Sequence, residues 1–563
     1  MACFVLVLDT PGIKQFVFGT DALAEVRGAS ALLDRLNRCD TEERLRQHVT
    51  NEGGEIKKVF ANGGTAQFVV EAADRSAVQA AVDALAAYYA EETGGEVRPL
   101  AGVAEWPQGQ NYHAAVAMAH AELQLRRNLG FGRPTIPILP IVQECESTSH
   151  LPAQRAINWG GERLILSEAS RLKREEAAAS RRGLLWTAWM ESLDLPGDAH
   201  ANALRLRPPD VVAIGRAAER QGYIGLVYAD GNAMGRLVQE LDSTEVCRAF
   251  SELVDGSLRD ACYGALRAVL GDQVEAAQKS LTEGGKPDVL PADILLLGGD
   301  DLLVVLPAER ALDFALHVTQ QFADLTRSRQ ETLPGPVRAF FANRGLAERG
   351  LTISCGVAIG PARYPFYLLL DLAEELLRSA KAAGSRHPER SDYWAPTYVD
   401  FHQIAGSESP ELETIREEDY LVKTEYPRTL RPYSGEQLME LRAAANILRA
   451  ANVPRSKLHD LFEAALEPRP VLAQIRAREL FGRLRQDSSH PEREALWDAL
   501  AKLGSVSPFP WTGAPTSQGA GAGQPSSVPF GPKPGCKTAL ADLIEAHELF
   551  GTTHTYEPAG ERA

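Results

Sequence analysis

The sequence predicts an α+β fold in which one unit of strands and helices occurs twice and is followed by a helical domain. The first observation is that strands, hairpins and helices follow one another in the same order in residues 1–135 and 215–398. The second is that one stretch of the two units aligns without gaps, with Gly102 on Gly356 and Ala104 on Ala358. Beyond about residue 400, apolar residues recur with the spacing of amphipathic helices.

The first unit opens with an apolar run that is typical of a buried strand and ends at a carboxylate, Asp9. Gly63 and Gly64 mark the tight turn of a hairpin, and Asp74 is a suitable N-cap for the helix that follows it. The predicted elements are, in order, a strand at 3–9, a helix at 21–37, a hairpin at 56–72, a helix at 74–89, a strand at 97–105 and a helix at 113–127.

The second unit repeats this order and also begins with a strand that ends at a carboxylate, Asp230. The next helix has apolar residues on one face, at Met234, Leu237, Val238 and Leu241. The predicted elements are a strand at 223–230, that helix, a hairpin at 293–306, a strand at 351–359 and a helix at 366–383.

The shared order indicates an internal duplication, although two α/β domains could also share apolar patterns by chance. Asp9 corresponds to Asp230, and Arg127 corresponds to Lys381. Aligning the paired glycines of the two hairpins places Thr65 and Ala66 where the second unit has Asp300 and Asp301. The first unit is therefore interpreted as structural or substrate-binding, and the second as catalytic.

The remaining segments complete the predicted domain organisation. The first unit spans 1–135, a helical or irregular connection spans 136–214, and the second unit spans 215–398. A C-terminal helical domain follows at 399–503, then a flexible linker rich in Gly, Pro and Ser at 504–536, and a terminal helix with a tail at 537–563.

The composition is that of an ordinary globular protein and excludes several classes. The chain has 563 residues, 44% hydrophobic and 24% charged, and no apolar run is long enough to cross a membrane. The seven cysteines form no CxxC or CxxH spacing, which predicts no zinc site and a cytoplasmic location without a signal peptide. A net charge of -16 disfavours strong autonomous binding to nucleic acid. The basic run at 171–182 is interpreted as a solvated face rather than an RNA contact.

Three carboxylates are the candidate metal ligands and catalytic residues. Asp230 ends one strand, while Asp300 and Asp301 lie at the tip of a hairpin, so pairing of these strands would bring the three together. Carboxylate oxygens are the ligands that Mg²⁺ or Mn²⁺ prefers, and two such ions can drive the attack of a hydroxyl on a phosphate. Gly298 and Gly299 let the turn be tight and let the main chain approach a triphosphate. The alternative is a simple hairpin turn with aspartates facing solvent.

A second group of residues could hold the phosphates of a nucleotide. Gly231, Asn232 and Gly235 are expected to open a helix, whose free N–H groups and dipole would attract a triphosphate. Lys381 lies on the helix over 366–383 and could reach a phosphate as a point charge. A lone lysine on a helix is more often solvated, so its functional role depends on a family resemblance.

The motifs YADGNAMG, LLLGGDDLLVVLP, LTISCGVAIG and AEELLRSAK together resemble the second palm domain of the large polymerase/cyclase-like subunit of type III CRISPR effector complexes. More distantly, they are similar to GGDEF diguanylate cyclases. The N-terminal DTPGIKQFVFGTDALAEVRGASALLDRLN and FANGGTAQFVV resemble that subunit's first, degenerate palm domain. The resemblance covers roughly 1–130 and 215–395, and it implies two ferredoxin-like palm domains.

The resemblance implies a nucleotidyltransferase that converts ATP to a cyclic oligonucleotide messenger in antiviral defence. Asp230, Asp300 and Asp301 would then hold the metals, Gly231, Asn232 and Gly235 would contact the nucleotide, and Lys381 would contact its phosphates. The implied partners are effector subunits, RNA or a second copy of the chain, and no membrane. Large members also carry an HD nuclease domain and a zinc module. Neither is expected here, because the first strand begins at residue 3 and Cys145 is isolated.

Two other functions remain open at this point. A diguanylate cyclase would use GTP, but its usual motif has Glu and Phe where this chain has Asp301 and Leu302. A non-catalytic scaffold that binds nucleotide or RNA would follow if the second unit had decayed as the first has. Incubation with each nucleotide separates the two cyclases, and binding without turnover would identify the scaffold.

Overall fold

The computed structural model describes residues 1–550 except 21, 108–110, 131–140, 149–150, 160, 180–183, 221, 286, 405–410, 421, 424–425, 451–452, 486–510 and 513–536. Nearly all of the predicted linker at 504–536 and the tail at 551–563 lie outside the described residues.

The first unit is a four-stranded antiparallel sheet in the order β2-β3-β1-β4 with helices packed on it. Asp74 caps the fourth helix as predicted, and its carboxylate accepts a hydrogen bond from the N–H of Ala77 at 3.0 Å. A π-helical turn, Leu36–Asp40, joins the second and third helices. The elements are β1 (Ala2–Asp9), α1 (Ile13–Phe18), α2 (Leu23–Arg35), α3 (Thr41–Asn51), β2 (Glu55–Asn62), β3 (Thr65–Ala72), α4 (Arg75–Glu92), β4 (Leu100–Glu105) and α5 (Tyr112–Asn128).

The connection between the units contains a short β-ribbon and four helices. These are β5 (Arg155–Trp159), β6 (Glu162–Leu166), α6 (Glu168–Ala179), α7 (Leu184–Ser192), α8 (Ala199–Leu206) and α9 (Val211–Arg216). The basic run in α6 is not the solvated face that the sequence suggested. The Lys173 ammonium is buried and lies 2.8 Å from a Glu96 oxygen, and Arg174 lies 2.6 Å from the buried Glu25. These charges dock the connection onto the first unit instead.

The second unit is a six-stranded sheet in the order β8-β9-β7-β10-β11-β12. In its central strand, Val227 and Ala229 belong to one core layer, and Leu226 and Tyr228 belong to the layer on the opposite face. The elements are β7 (Tyr223–Gly231), α10 (Met234–Gln239), α11 (Thr244–Val269), α12 (Gly271–Thr282), β8 (Asp293–Gly298), β9 (Asp301–Pro307), α13 (Ala308–Gln330), α14 (Gly335–Ala342), β10 (Ile353–Pro361), α15 (Phe366–Arg386), β11 (Tyr398–Gln403) and β12 (Tyr433–Ser434).

The sheet of the second unit continues past the boundary predicted at residue 398. β11 pairs in parallel with β10, with Cys355 opposite Val399, and so belongs to the same sheet. The segment YVDFHQ carries polar residues that are buried, Asp400 and His402, and this disguises it as a loop. The boundary at 398 was therefore placed too early.

The two sheets share one topology, since β8-β9-β7-β10 repeats the order β2-β3-β1-β4. The aligned glycines have the same function in both. A Cβ on Gly102 would lie 1.8 Å from the Ala119 carbonyl oxygen, and one on Gly356 would lie 2.2 Å from that of Ala373. Only glycine lets α5 and α15 pack so closely on their strands. The alignment of these helices is confirmed.

The hairpin alignment, by contrast, is wrong by one residue. Asn62 pairs with Thr65 and Gly298 pairs with Asp301, so each hairpin has a two-residue loop. Gly64 therefore corresponds to Asp300, and Thr65 corresponds to Asp301. Matching glycine to glycine ignored the loop length, and the loop length sets the register of a hairpin.

The helical C-terminal part packs on the end of the second sheet. Its last helix is anchored by Asp542, whose buried carboxylate accepts hydrogen bonds from Thr429, the main chain of Leu430 and Tyr433, and pairs with Arg431 at 3.0 Å. The elements are α16 (Leu412–Glu418), α17 (Gly435–Ala450), α18 (Arg455–Leu466), α19 (Pro470–Arg485), β13 (Trp511–Thr512), β14 (Lys537–Thr538) and α20 (Leu540–Ala546). No helix in the described part of the chain is long and apolar enough to span a membrane.

Candidate active site

The candidate site lies where β7 ends beside the turn between β8 and β9. Asp230 is the penultimate residue of β7, and one step along the register from Ala229 and Leu302 brings it opposite Asp301. Lys381 reaches the same point from α15. Its ammonium donates a hydrogen bond to the Asp230 carboxylate and a second, at 2.8 Å, to the Gly231 carbonyl oxygen. The structure thus brings together residues from three segments that are far apart in the chain.

The turn that carries the two aspartates is a two-residue loop, Gly299-Asp300. Gly299 has a φ of 63°, a left-handed conformation that residues with a side chain disfavour. Gly231 faces this turn from β7. A Cβ there would lie 2.4 Å from Met234 Cγ and 2.7 Å from Asp300 Oδ2. Glycine is therefore required at 231 so that the Asp300 carboxylate can approach the end of β7.

The carboxylates of the turn repel one another in a half-buried setting. Burial, and then the negative charge of Asp230, raise the pKa of Asp300 to about 7. Burial, followed by the charges of Asp230 and Asp300, raises the pKa of Asp301 to about 8. The Lys381 ammonium opposes both shifts but does not cancel them. The negative charge of the three carboxylates is therefore only partly balanced by the Lys381 ammonium.

A second lysine reaches the site from the first unit. Lys14 in α1 lies 3.0 Å from a Glu374 oxygen on α15, and its ammonium lies 4.9 Å from the centre of the Tyr228 ring. Its charge also opposes the shift in the pKa of Asp301. No motif in the sequence around Lys14 indicated a role at this site. Lys14 reaches the site only because the two units pack together.

The residues after Asp230 are placed differently from the prediction. Gly231 ends the strand, Ala233 is left-handed with a φ of 59°, and α10 has only six residues. Asn232 is buried. Its side-chain amide donates to the Thr352 hydroxyl at 3.1 Å, and its oxygen accepts from Ser354 at 3.0 Å. Asn232 therefore ties β7 to β10, which is a positioning role, and its contact with a nucleotide stays a prediction.

Gly235 lies in open space, because a Cβ there would meet nothing within 4 Å. Gly298 and Gly299 lie in the turn itself, at the end of β8 and in the loop. Of these glycines, Gly235 leaves open space, while Gly298 packs against Arg38 and Gly63 of the first unit. Their contact with a nucleotide stays a prediction.

The donor set of the site suits a hard divalent cation. Asp230, Asp300 and Asp301 offer only carboxylate oxygens, and the raised pKa values of the last two show that a further cation would stabilise their ionised forms. Among the described residues, no three His, Cys, Asp or Glu side chains stand ready as a metal cluster. The Lys381 ammonium lies on the Asp230 carboxylate, so metal binding requires that it release Asp230.

Comparison with known proteins identifies the second unit. Residues 223–388 match the family model of the Cas10/Cmr2 second palm domain. A crystal structure of a Csm1–Csm4 cassette in complex with pppApApA is 14% identical, with 89% of this chain and 69% of that chain covered and a TM-score of 0.47. Csm1 of T. onnurineus is 15% identical, with coverage of 87% and 65% and a TM-score of 0.46. No curated protein matches the chain.

The family match spans β7, the acidic turn and α15, which are the elements that build the site. The first unit has the same sheet order without the aspartates of the turn. The chain thus combines two palm units with a helical C-terminal part. The unit that carries Asp230, Asp300, Asp301 and Lys381 matches the Cas10/Cmr2 second palm domain.

Proposed function

We propose that the chain is a metal-dependent nucleotidyltransferase that joins ATP into a cyclic oligonucleotide messenger in CRISPR-type antiviral defence. The observation that carries the proposal is the convergence of Asp230, Asp300 and Asp301 with Lys381 in a palm of the Cas10/Cmr2 type. The 3′-hydroxyl of one nucleotide attacks the α-phosphate of another. The bond to the β-phosphate breaks, pyrophosphate leaves, and the hydroxyl proton passes to water.

The three carboxylates are the proposed ligands of Mg²⁺ or Mn²⁺. When bound, the ions would lower the pKa of the attacking hydroxyl and neutralise charge on the leaving pyrophosphate. Asp300 is presented by a two-residue loop, Asp301 by the first residue of β9, and Asp230 by the central strand. The chain thereby fixes the ligands on elements of the sheet rather than on a long loop.

The two lysines are the proposed phosphate contacts. Lys381 holds Asp230 in the absence of substrate, and a triphosphate would offer its ammonium a competing anion. Lys14 is 55% exposed and extends from the first palm unit toward the same site. A nucleotide bound between the units would therefore meet cations from both.

The proposed regulators are effector subunits, RNA or a second copy of the chain. The net charge of -16 argues against strong binding of RNA by this chain alone. A partner subunit would supply a basic surface for RNA. The Csm1 structure with pppApApA contains Csm4; an equivalent partner here is part of the proposal.

The test is incubation of the purified chain with each NTP and Mg²⁺ or Mn²⁺, with and without candidate partners and RNA, with products identified by mass spectrometry. We expect cyclic products from ATP that disappear in Asp300→Ala/Asp301→Ala. Asp9→Asn is the matched control, since Asp9 ends the corresponding strand of the first unit and pairs with Arg127 at 2.6 Å. Products from GTP alone would favour a diguanylate cyclase. No product from any NTP under any of these conditions would refute the proposal.

A scaffold that binds nucleotide without turnover is the second candidate. One observation favours it, because the Lys381 ammonium lies on a carboxylate that catalysis would need for metal. Calorimetry with ATP and Mg²⁺ separates the two functions. Binding without product formation would identify the scaffold, and turnover would exclude it.

A further inference from the structure

We propose that Asp255 and Arg38 are positioning residues that hold the acidic turn in its working geometry, so that the first palm unit supports the chemistry of the second. The inference rests on the proposed function. Asp255 lies on α11, and Arg38 lies in the π-helical turn Leu36–Asp40 of the first unit. Neither residue contacts the three site carboxylates, so both would act through the turn.

Asp255 contacts the main chain of the loop directly. The main-chain N–H of Gly299 donates a hydrogen bond to Asp255 Oδ1 at 3.1 Å. This bond fixes the peptide plane between Gly298 and Gly299, one residue before the Cα that carries the Asp300 side chain. The side chain of Asp255 is only 13% exposed, and a hydrogen bond to a charged acceptor in such a setting is stronger than a neutral one.

Asp255 is in turn paired with Arg38 of the first unit. Arg38 donates to both Asp255 oxygens, at 3.0 and 3.2 Å, and its Nε donates to Asp34 at 2.6 Å. This two-pronged geometry fixes the direction of the Asp255 carboxylate as well as its charge. A π-helical turn is itself a conformation that proteins frequently use at functional positions. Arg38 thus links the second helix of the first unit to the turn of the second.

The hairpin of the first unit also packs on the turn. A Cβ on Gly298 would lie 3.5 Å from both Arg38 Nη2 and the Gly63 nitrogen. A Cβ on Gly63 would lie 3.3 Å from the Gly298 carbonyl oxygen. The two hairpin tips therefore meet, and the first unit covers the side of the turn that faces away from Gly231. A role in holding this turn explains why the first unit keeps the hairpin without its aspartates.

The consequence is quantitative because metal ligands tolerate little displacement. A mutation far from the reacting atoms that displaces the reacting groups by about 1 Å can lower the rate about 100-fold. Loss of the bond to Gly299 should therefore lower the turnover of a bound substrate. It should leave the affinity for ATP nearly unchanged, since neither Lys14 nor Lys381, the proposed phosphate contacts, is touched.

The experiment compares Asp255→Ala, Asp255→Asn and Arg38→Ala in the full chain, with the partners that activate it. Asp255→Ala should lower kcat by about 10- to 100-fold with KM within about threefold. Asp255→Asn keeps an oxygen that can accept from Gly299 and should recover most of kcat. Arg46→Ala is the matched control, because it breaks an ion pair with Glu42 on the neighbouring α3 without touching the turn.

A second measurement does not depend on activity. Hydrogen–deuterium exchange of a peptide covering 298–302 should be faster in Asp255→Ala than in the wild type, Asp255→Asn or Arg46→Ala. If the wild type makes no product, the proposed function fails, and the exchange rates alone decide the positioning role. Unchanged exchange at the turn, or a lowered Tm with kcat and exchange unaltered, would overturn it.

Discussion

Lys381→Met removes the ammonium that lies between Asp230 and the main chain of Gly231. The change keeps an apolar stem of similar length on α15 and takes away one charge. In the wild type this charge both stabilises the Asp230 carboxylate and lowers the pKa values of Asp300 and Asp301. The variant therefore tests the two roles assigned to Lys381, as a resident cation without substrate and as a phosphate contact with it.

The magnitude follows from the exposure of the pair. A hydrogen bond to a charged group contributes about 1.5–3 kcal/mol, and the Lys381 and Asp230 side chains are each 31% exposed, which places the pair at the low end of that range. A divalent cation must displace this interaction to bind Asp230. Without it, Mn²⁺ should bind about tenfold more tightly, because each 1.4 kcal/mol is a factor of ten. Loss of a phosphate contact should lower kcat/KM for ATP by about 10- to 100-fold.

The assays are titration of Mn²⁺ by electron paramagnetic resonance and steady-state formation of the oligonucleotide product. Arg378→Met is the control, since Arg378 is exposed on the same helix and carries the same charge. Opposite changes, with tighter metal binding and slower catalysis, are expected only at 381. Unchanged or weaker Mn²⁺ binding in Lys381→Met would refute the reasoning.

The other predictions concern the turn and the first unit. Because the pKa of Asp301 is raised to about 8, the folded chain retains a proton that the unfolded chain loses above about pH 4. Without divalent cations, the free energy of unfolding should therefore fall as the pH rises from about 5 to about 8. Asp301→Asn should make the free energy of unfolding, measured by urea titration, less dependent on pH. Gly231→Ala places a methyl 2.7 Å from Asp300 Oδ2 and should abolish product formation, with a loss of about 1–3 kcal/mol in denaturant stability. Lys14→Met should raise KM for ATP about three- to tenfold, from the loss of one exposed cation, and leave the wild-type Tm within about 1 °C.

Each of these has a result that would contradict it. Equal urea midpoints at pH 5 and 8 in the wild type would remove the electrostatic interpretation of the turn. Wild-type activity in Gly231→Ala would show that the close approach of β7 to the turn is not needed. An unchanged KM in Lys14→Met would confine the substrate site to the second unit.

The sequence was sufficient for the features that depend on local pattern. Apolar runs ending at Asp9 and Asp230, and glycines between two apolar strands, predicted the paired sheets and the place of the acidic turn. Gly102 and Gly356 aligned the helices correctly because close packing admits no side chain at either position. Lys381 was selected through the family resemblance, since its own segment carries no signal of proximity to Asp230.

The sequence failed where tertiary contacts decide. Lys173 is buried against Glu96, and no charge pattern within α6 reveals that partner. Asn232 follows Asp230, a candidate catalytic residue, yet its side-chain amide forms hydrogen bonds with Thr352 and Ser354 at β10. Asp255 reaches the turn from the middle of α11, a 26-residue helix that was not predicted, so nothing local marked it.

The ion pairs that hold α20 make the folded body of the chain depend on its C-terminal segment. Arg431 is fully buried and pairs with Asp542 and Glu545 of that segment, so a chain ending before it would leave a cation buried without its counter-charges, at a cost of about 3–5 kcal/mol. The entropy of closing a connection grows slowly with its length, so changing the length of residues 513–536 should alter these contacts little. A long connection also lets the same contacts form between two copies of the protein, by exchange of the segment.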